Sequence, residues 1–225
     1  MALPTDRFAM RLCFINPNAT ASMTEKIAAA ARRAASPGTR IVALTNADGP
    51  PSIQGEADGE AAVPGLLALI EANAGAMDGF AIACFDDTGL APARALTARP
   101  VVGIGEAGYR AAAEAGHRFS VVTTLAVSVP ILDANIGAYG LAAMRARVRA
   151  SQVPVLALEE EGEAAREKVG AEIEAAIAED GISAVVLGCA GMADLAQTYT
   201  RRFGLPVIDG VAAAVALLER EAAAR

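Results

Sequence analysis

The chain has no tryptophan, a single histidine, three cysteines and few other aromatic residues, six Phe and three Tyr. Each shortage excludes something. The one histidine, His117, sits in Ala115-Gly116-His117-Arg118 as a turn residue ahead of a strand, so Ser-His and Cys-His nucleophilic catalysis lack their base. No cluster of His and Cys has metal-ligand spacing, and no metal site is expected. An odd number of cysteines, none spaced as CxxC, reads as reduced thiols in a cytoplasmic protein rather than as a disulfide framework. Apolar runs reach only strand length, so no membrane span is expected. The segment Met1-Ala2-Leu3-Pro4-Thr5-Asp6 lacks the basic and apolar regions of a signal peptide. Net charge is −7, and the one basic cluster, Arg145 to Arg149, is too short for a nucleic-acid footprint. The partner expected is therefore a small molecule, with no nucleic acid and no membrane.

What the chain does have is a 54% apolar composition carried by Ala, Val, Leu and Ile, spread over 225 residues. That is enough to bury a core. Strand-length runs are expected at Leu12–Ile15, Arg40–Leu44, Phe80–Ala83, Val101–Ile104, Phe119–Thr123, Val153–Leu158, Ala184–Leu187 and Val207–Ile208. Between most of them lie helical patterns at Ser22–Ala35, Leu66–Ala74, Ala107–Ala115, Glu163–Glu179, Ala193–Phe203 and Val211–Ala224. Strand-helix alternation predicts an α/β fold of parallel sheets flanked by helices.

The cysteines carry the chemistry. Cys84 ends Gly79-Phe80-Ala81-Ile82-Ala83, and Cys189 ends Ala184-Val185-Val186-Leu187-Gly188, 105 residues later. Leu90 and Leu195 each follow their cysteine by six residues. Pro100-Val101-Val102 and Pro206-Val207-Ile208 repeat at nearly the same offset, and Phe14-Ile15-Asn16 against Val122-Thr123-Thr124 is a weaker third pair. A repeat at half the chain length predicts two pseudo-symmetric half-domains facing each other across a cleft. The expected boundaries are 1–104 and 105–209, with 210–225 packing back on the first half. One thiol from each half would then approach a ligand from opposite faces, an arrangement suited to inverting a carbon by proton transfer.

In open parallel sheets, ligands bind beyond the carboxyl ends of strands. Asn16-Pro17-Asn18, Cys84-Phe85-Asp86, Thr123-Thr124 and Cys189-Ala190-Gly191 are expected there. Cys13, inside the first strand, reads as structural. Asp86 and Asp87 could suggest a metal, but adjacent side chains point apart, and a cap or turn role is favoured. Gly103-Ile104-Gly105 with Gly108 spells GxGxxG, yet without an acidic residue suitably downstream it reads as a structural turn. The Glu run at Glu159–Glu163 reads as a solvated helix start.

The chain also resembles the hydantoin and allantoin racemases of the aspartate/glutamate racemase superfamily. The matching segments are Ile15-Asn16-Pro17-Asn18-Ala19-Thr20 with Ser22-Met23-Thr24, Pro51-Ser52-Ile53, Val63-Pro64-Gly65-Leu66, Ala83-Cys84-Phe85-Asp86-Asp87, Phe119-Ser120-Val121-Val122-Thr123-Thr124, Val148-Arg149-Ala150-Ser151 and Leu187-Gly188-Cys189-Ala190-Gly191-Met192. They run nearly from end to end. The resemblance implies a cofactor-independent racemase in a homo-oligomer, with Cys84 and Cys189 as the two acid/base residues. It implies substrate contacts from Asn16, Ser52, Phe85, Asp86, Thr123, Thr124, Gly188, Ala190 and Gly191. The chain departs from the family pattern at Glu56, near which many relatives carry an aromatic, and at Thr88, where a proline is common. Two other readings stand beside this one. An aspartate- or glutamate-type racemase would use the same thiols but must bind an ammonium and two carboxylates. A non-catalytic two-lobed binding protein would have no reason to place thiols symmetrically.

Overall fold

The computed structural model describes residues 10–160 and 162–224. The segment Met1–Asp6 and Glu161 of the Glu run lie outside the described residues. The first half runs β1 (Met10–Asn16), α1 (Ala21–Ala34), β2 (Thr39–Thr45), α2 (Glu56–Asn73), β3 (Gly79–Ile82), α3 (Leu90–Leu96) and β4 (Val101–Gly103). The second begins with α4 (Ile104–Glu114) and continues through β5 (Phe119–Thr123), α5 (Val129–Ala138), β6 (Arg145–Ala150), α6 (Ala157–Glu160), α7 (Glu163–Glu179), β7 (Ala184–Gly188), α8 (Ala196–Phe203), β8 (Val207–Asp209) and α9 (Gly210–Ala223).

Each half forms a four-stranded parallel sheet, ordered β2-β1-β3-β4 and β6-β5-β7-β8. The two orders are the same order, which is the structural form of the cysteine repeat. Within them, Leu12 to Ile15 pair with Gly79 to Ile82, and Phe119 to Thr123 pair with Ala184 to Gly188. Both central strands therefore end level with the strand that leads into a cysteine. Strands β3, β5 and β7 are buried along their whole length, because helices cover both faces.

The halves exchange helices. Helix α4 leaves the first sheet and packs on β7 and β8 of the second, while α9 leaves the second and packs on β1, β3 and β4 of the first. The two cross against each other, with Tyr109, Val186, Val211 and Val215 in one continuous apolar core. Gly108 permits this crossing: a Cβ there would lie 2.9 Å from Val186 Cγ1 and 3.5 Å from the Gly210 Cα.

Locally the structure departs from the sequence pattern. The run Val153–Leu158 is not a strand but a loop entering α6, with Pro154 in its middle. The sixth strand is instead the basic cluster, Arg145–Ala150. Its Arg149 is buried because Asp180, Glu179 and Glu172 all receive its guanidinium, so a charged residue occupies a position that patterning reserves for an apolar one. Helix α2 starts ten residues earlier than Leu66 and runs through Pro64-Gly65. There the Asn46 side chain occupies the space a Gly65 Cβ would need and donates to the Ala62 carbonyl at 3.0 Å. Helices α3 and α5 carry Pro92 and Pro130 in their first turns, where a missing N–H costs nothing.

Candidate active site

Cys84 follows β3 and Cys189 follows β7, so the same strand of each sheet delivers a thiol to the same end of its half. Both residues are partly exposed, and both line one cavity. Cys13, by contrast, has no exposure, and burial pushes its thiol up to about 12. It belongs to the core beneath the first sheet.

Each cysteine turn is braced by the opposite half. The short helical turn Ala190–Met192 after Cys189 packs against α1. The turn after Cys84 is held by α5, where Asn135 Nδ2 donates to the Asp86 carbonyl at 2.9 Å and the Tyr139 hydroxyl donates to Asp87 at 2.7 Å. Asp87 in turn accepts the N–H groups of Gly105 and Glu106 at 2.9 and 2.8 Å. The helix N-terminus opened by Gly103-Ile104-Gly105 is therefore filled by a carboxylate of the chain itself. Cβ atoms at Gly103 and Gly105 would lie 1.9 Å and 2.9 Å from Asp87 oxygens, which is why glycines stand there. The GxGxxG spelling is a structural device, and Asp87 has the cap role read for it.

The cavity gathers Phe85, Asp86, Thr123, Thr124, Gly188 and Ala190 with the two cysteines. Phe85 contributes at its turn, while its ring is directed into the core and meets Tyr109 edge-on at 5.3 Å between centroids. The Thr123 hydroxyl is committed to the Gly188 carbonyl at 2.9 Å. Asn16, Ser52 and Gly191 do not line the cavity. Asn16 has no exposure and holds the loop behind the wall, donating to Asn18 and Thr24 at 2.9 and 3.1 Å. The residue that loop presents is Asn18. Ser52 accepts from Gln54 at 3.0 Å, and its neighbour Ile53 reaches the cavity instead. Met23, Ser128 and Val155 complete the lining without having been singled out. Asn18 lies in a strand-end segment, and Ile53 in the segment Pro51-Ser52-Ile53 that carries the resemblance. Ser128 precedes α5, over which no helical pattern is read, and Val155 lies in the run read as a strand.

The electrostatics are lopsided. Among the described residues no Arg, Lys or His lines the cavity. Its one acid, Asp86, is 8% exposed, and burial pushes its carboxyl up to about 6. Burial first, and then the nearby Asp86 carboxylate, push the Cys84 thiol above the ordinary thiol value. The Asp86 N–H and the Thr88 hydroxyl work the other way, and Cys189 is close enough to be felt. His117 lies far in sequence from these turns, half-buried and bonded to Ser183 at 2.9 Å. Among the described residues no three His, Cys, Asp or Glu side chains converge on a point that could hold a metal ion. No described helix is long and apolar enough to cross a membrane.

A thiol from each half on one cavity, in two sheets of identical order, is the arrangement against which known proteins can be compared. The model of the Asp/Glu/Hydantoin racemase family matches residues 12–218. The chain belongs to that family. It is an isomerase of the racemase class. It is 46% identical to a hydantoin racemase of Rhizobium meliloti, over 93% of this chain and 88% of that one. Among solved structures it superposes on an allantoin racemase from Klebsiella pneumoniae with a TM-score of 0.92 and 46% identity, covering 96% of this chain and 88% of that one. An allantoin racemase from Pseudomonas fluorescens gives 0.90 and 41%, covering 94% and 90%.

Proposed function

We propose that the protein racemises a hydantoin-type cyclic ureide, a 5-substituted hydantoin or allantoin, by proton transfer between two cysteines and without a cofactor. The observation that carries this reading is the placement of Cys84 and Cys189 on equivalent turns of the two halves, lining one cavity. The similarity to hydantoin and allantoin racemases supports the substrate class.

The substrate ring is flat, and its C5–H is acidified by the adjacent carbonyl. One cysteine, as thiolate, removes that proton from one face, and the C–H electron pair moves into the ring to give an enolate. The other cysteine, as thiol, returns a proton to C5 from the opposite face. The roles are exchanged for the other enantiomer, and each turnover leaves the thiol/thiolate pair reversed. A well-placed acid or base contributes roughly 10²–10⁴-fold. The enolate oxygen needs N–H donors, and losing one such donor costs about 3–4 kcal/mol. The turn after Cys189 offers the N–H group of Ala190, which lines the cavity, opens the helical turn and has no partner within it.

The lining suits an uncharged ring. Asn18, Thr124, Ser128 and Asp86 can meet ring N–H and C=O groups, and Met23, Ile53 and Val155 can cover its apolar face. Free aspartate or glutamate would bring two carboxylates to a cavity without a cation.

The test is racemisation of allantoin and of an aliphatic hydantoin, followed by decay of circular dichroism, in Cys84→Ser and Cys189→Ser. Each variant should be inactive while folded, because a hydroxyl fits the space but is far too weak an acid to supply a base. Substantial racemisation by either folded variant would falsify the two-thiol mechanism. Activity should also survive EDTA and dialysis, and a metal-reversible loss would contradict the cofactor-free reading.

A further inference from the structure

The two thiols stand at equivalent positions, but their turns are not chemically equivalent. From Cys84 the chain reads Phe85-Asp86-Asp87-Thr88; from Cys189 it reads Ala190-Gly191-Met192-Ala193. Four residues after Cys84, the Thr88 hydroxyl donates to Cys84 Sγ at 3.6 Å, a normal separation for O–H to sulfur. At the equivalent place after Cys189 stands Ala193, which has no hydroxyl.

The fold holds Thr88 in this position from three sides. Asp87 and Gly89 have φ of 52° and 72°, so the chain turns back on itself around Thr88. A Cβ at Gly89 would lie 3.0 Å from Leu66 and 3.3 Å from Val63, so that reversal is pressed against α2. The Thr88 side chain itself lies over Gly59 of α2, where a Cβ would be 3.7 Å from both its methyl and its hydroxyl. Thr88 is 9% exposed and does not line the cavity. Whatever it does for a ligand, it does through Cys84.

We propose that Thr88 is a positioning residue for the Cys84 thiolate, supplying a side-chain hydrogen bond for which the turn after Cys189 has no equivalent. The proposal rests on the two-thiol reading. Cys84 needs such help. Burial, the Asp86 carboxylate on its own turn and Cys189 on the opposite turn all oppose a negative charge on it. Among the described residues no cationic side chain lines the cavity to offset them. A hydroxyl hydrogen bond favours the charged sulfur over the neutral one, and it fixes the lone pair that must face C5.

The test reads the Cys84 thiolate directly and separately from turnover. In a Cys189→Ser background, the rate of Cys84 alkylation by iodoacetamide is followed against pH by mass spectrometry, for Thr88, Thr88→Val, Thr88→Ala and Thr88→Ser. Removing the hydroxyl should move the pH midpoint up by about 0.5–1 unit, and Thr88→Ser should return it towards the parent. With both cysteines present, the ascending limb of kcat/KM for racemisation should move the same way in Thr88→Val and Thr88→Ala, with activity regained at higher pH. A midpoint unmoved in folded Thr88→Val or Thr88→Ala, or a Thr88→Ser variant that behaves like Thr88→Ala, overturns the proposal. If Cys84→Ser still racemises, the function reading fails instead, whatever the alkylation shows.

Discussion

The Tyr139 hydroxyl donates to the Asp87 carboxylate at 2.7 Å, tying the end of α5 in the second half to the cysteine turn of the first. Asp87 also takes two N–H groups from the start of α4, so one buried carboxylate joins three segments around Cys84. Tyr139→Phe removes one of these bonds and keeps the ring, and should cost about 1.5–3 kcal/mol, the range for a hydrogen bond to a charged group. Asp87→Ala strands two helix N–H groups and the tyrosine hydroxyl together, and should cost more than Tyr139→Phe. Urea melts of the two variants check the order. A Tyr139→Phe protein as unstable as Asp87→Ala would mean that the packing of the ring, not the bond, joins the segments.

A second buried cluster lies behind β6. Arg149 and Asp180 have side chains 8% and 4% exposed and pair at 2.6 Å, with Ser120 donating to the same carboxylate at 2.8 Å. The Arg149 bond, first, and then Ser120 hold the Asp180 carboxyl below the usual carboxylate range, against burial. A depressed carboxylate stabilises the fold fully above its unfolded pKa, and that stability is lost as pH falls through the folded value. The protein should therefore lose stability on acidification below about pH 4, and Asp180→Asn should flatten that slope. At neutral pH, Arg149→Met should cost about 3–5 kcal/mol, because it leaves Asp180 charged and buried. Denaturant melts at pH 3 to 7 measure both effects.

That cluster also shows where the sequence stops being readable. Arg145 to Arg149 looks like a surface patch because nothing local reveals that Glu172, Glu179 and Asp180, on and just after α7, will meet it. Val153–Leu158 looks like a strand because apolar content alone does not separate a strand from a buried loop that lines a cavity. The helical pattern is read only from Leu66, and the Asn46 side chain, from the loop after β2, packs against the Pro64-Gly65 turn of the longer helix that forms. The cysteine turns were legible for the opposite reason. Each follows an uninterrupted buried strand, and the repeat fixed their equivalence before any tertiary contact was known. The cavity's polar lining was half legible: strand ends named the right segments, but Asn16 turned inward and Asn18 outward, a choice made by contacts to Thr24 and Met23.

The pH dependence of turnover should carry the signature of Asp86. Burial and the Asp86 carboxylate both raise the Cys84 thiol, so the limb on which Cys84 becomes a base lies alkaline of an ordinary thiol near ~8.5. Asp86→Asn keeps the shape and removes the charge, so that limb should move to lower pH. The measurement is kcat/KM for racemisation from pH 6 to 10 in the two proteins. A limb that moves to higher pH would mean that Asp86 acts chiefly as a hydrogen-bond partner of the substrate rather than as a charge beside the thiol.

The sharpest prediction about substrate comes from what lines the cavity. Aspartate and glutamate carry two carboxylates and an ammonium, and a site that binds them must cancel two negative charges taken out of water. Here Asn18, Thr123, Thr124 and Ser128 are neutral, and the one charged lining residue, Asp86, is an acid. Burying an unpaired carboxylate beside it costs several kcal/mol per ion, which no neutral hydrogen bond recovers. A cyclic ureide has no charge to lose, and its C5 proton is already acidified by the ring carbonyl. Racemisation of allantoin or a 5-substituted hydantoin should therefore exceed that of L-aspartate and L-glutamate in kcat/KM by at least about 10³-fold, the factor that corresponds to some 4 kcal/mol. Polarimetry on the four substrates at one pH settles the comparison. A higher kcat/KM for either amino acid would move the protein to the amino-acid branch, and would require a cation to reach the cavity in the bound state.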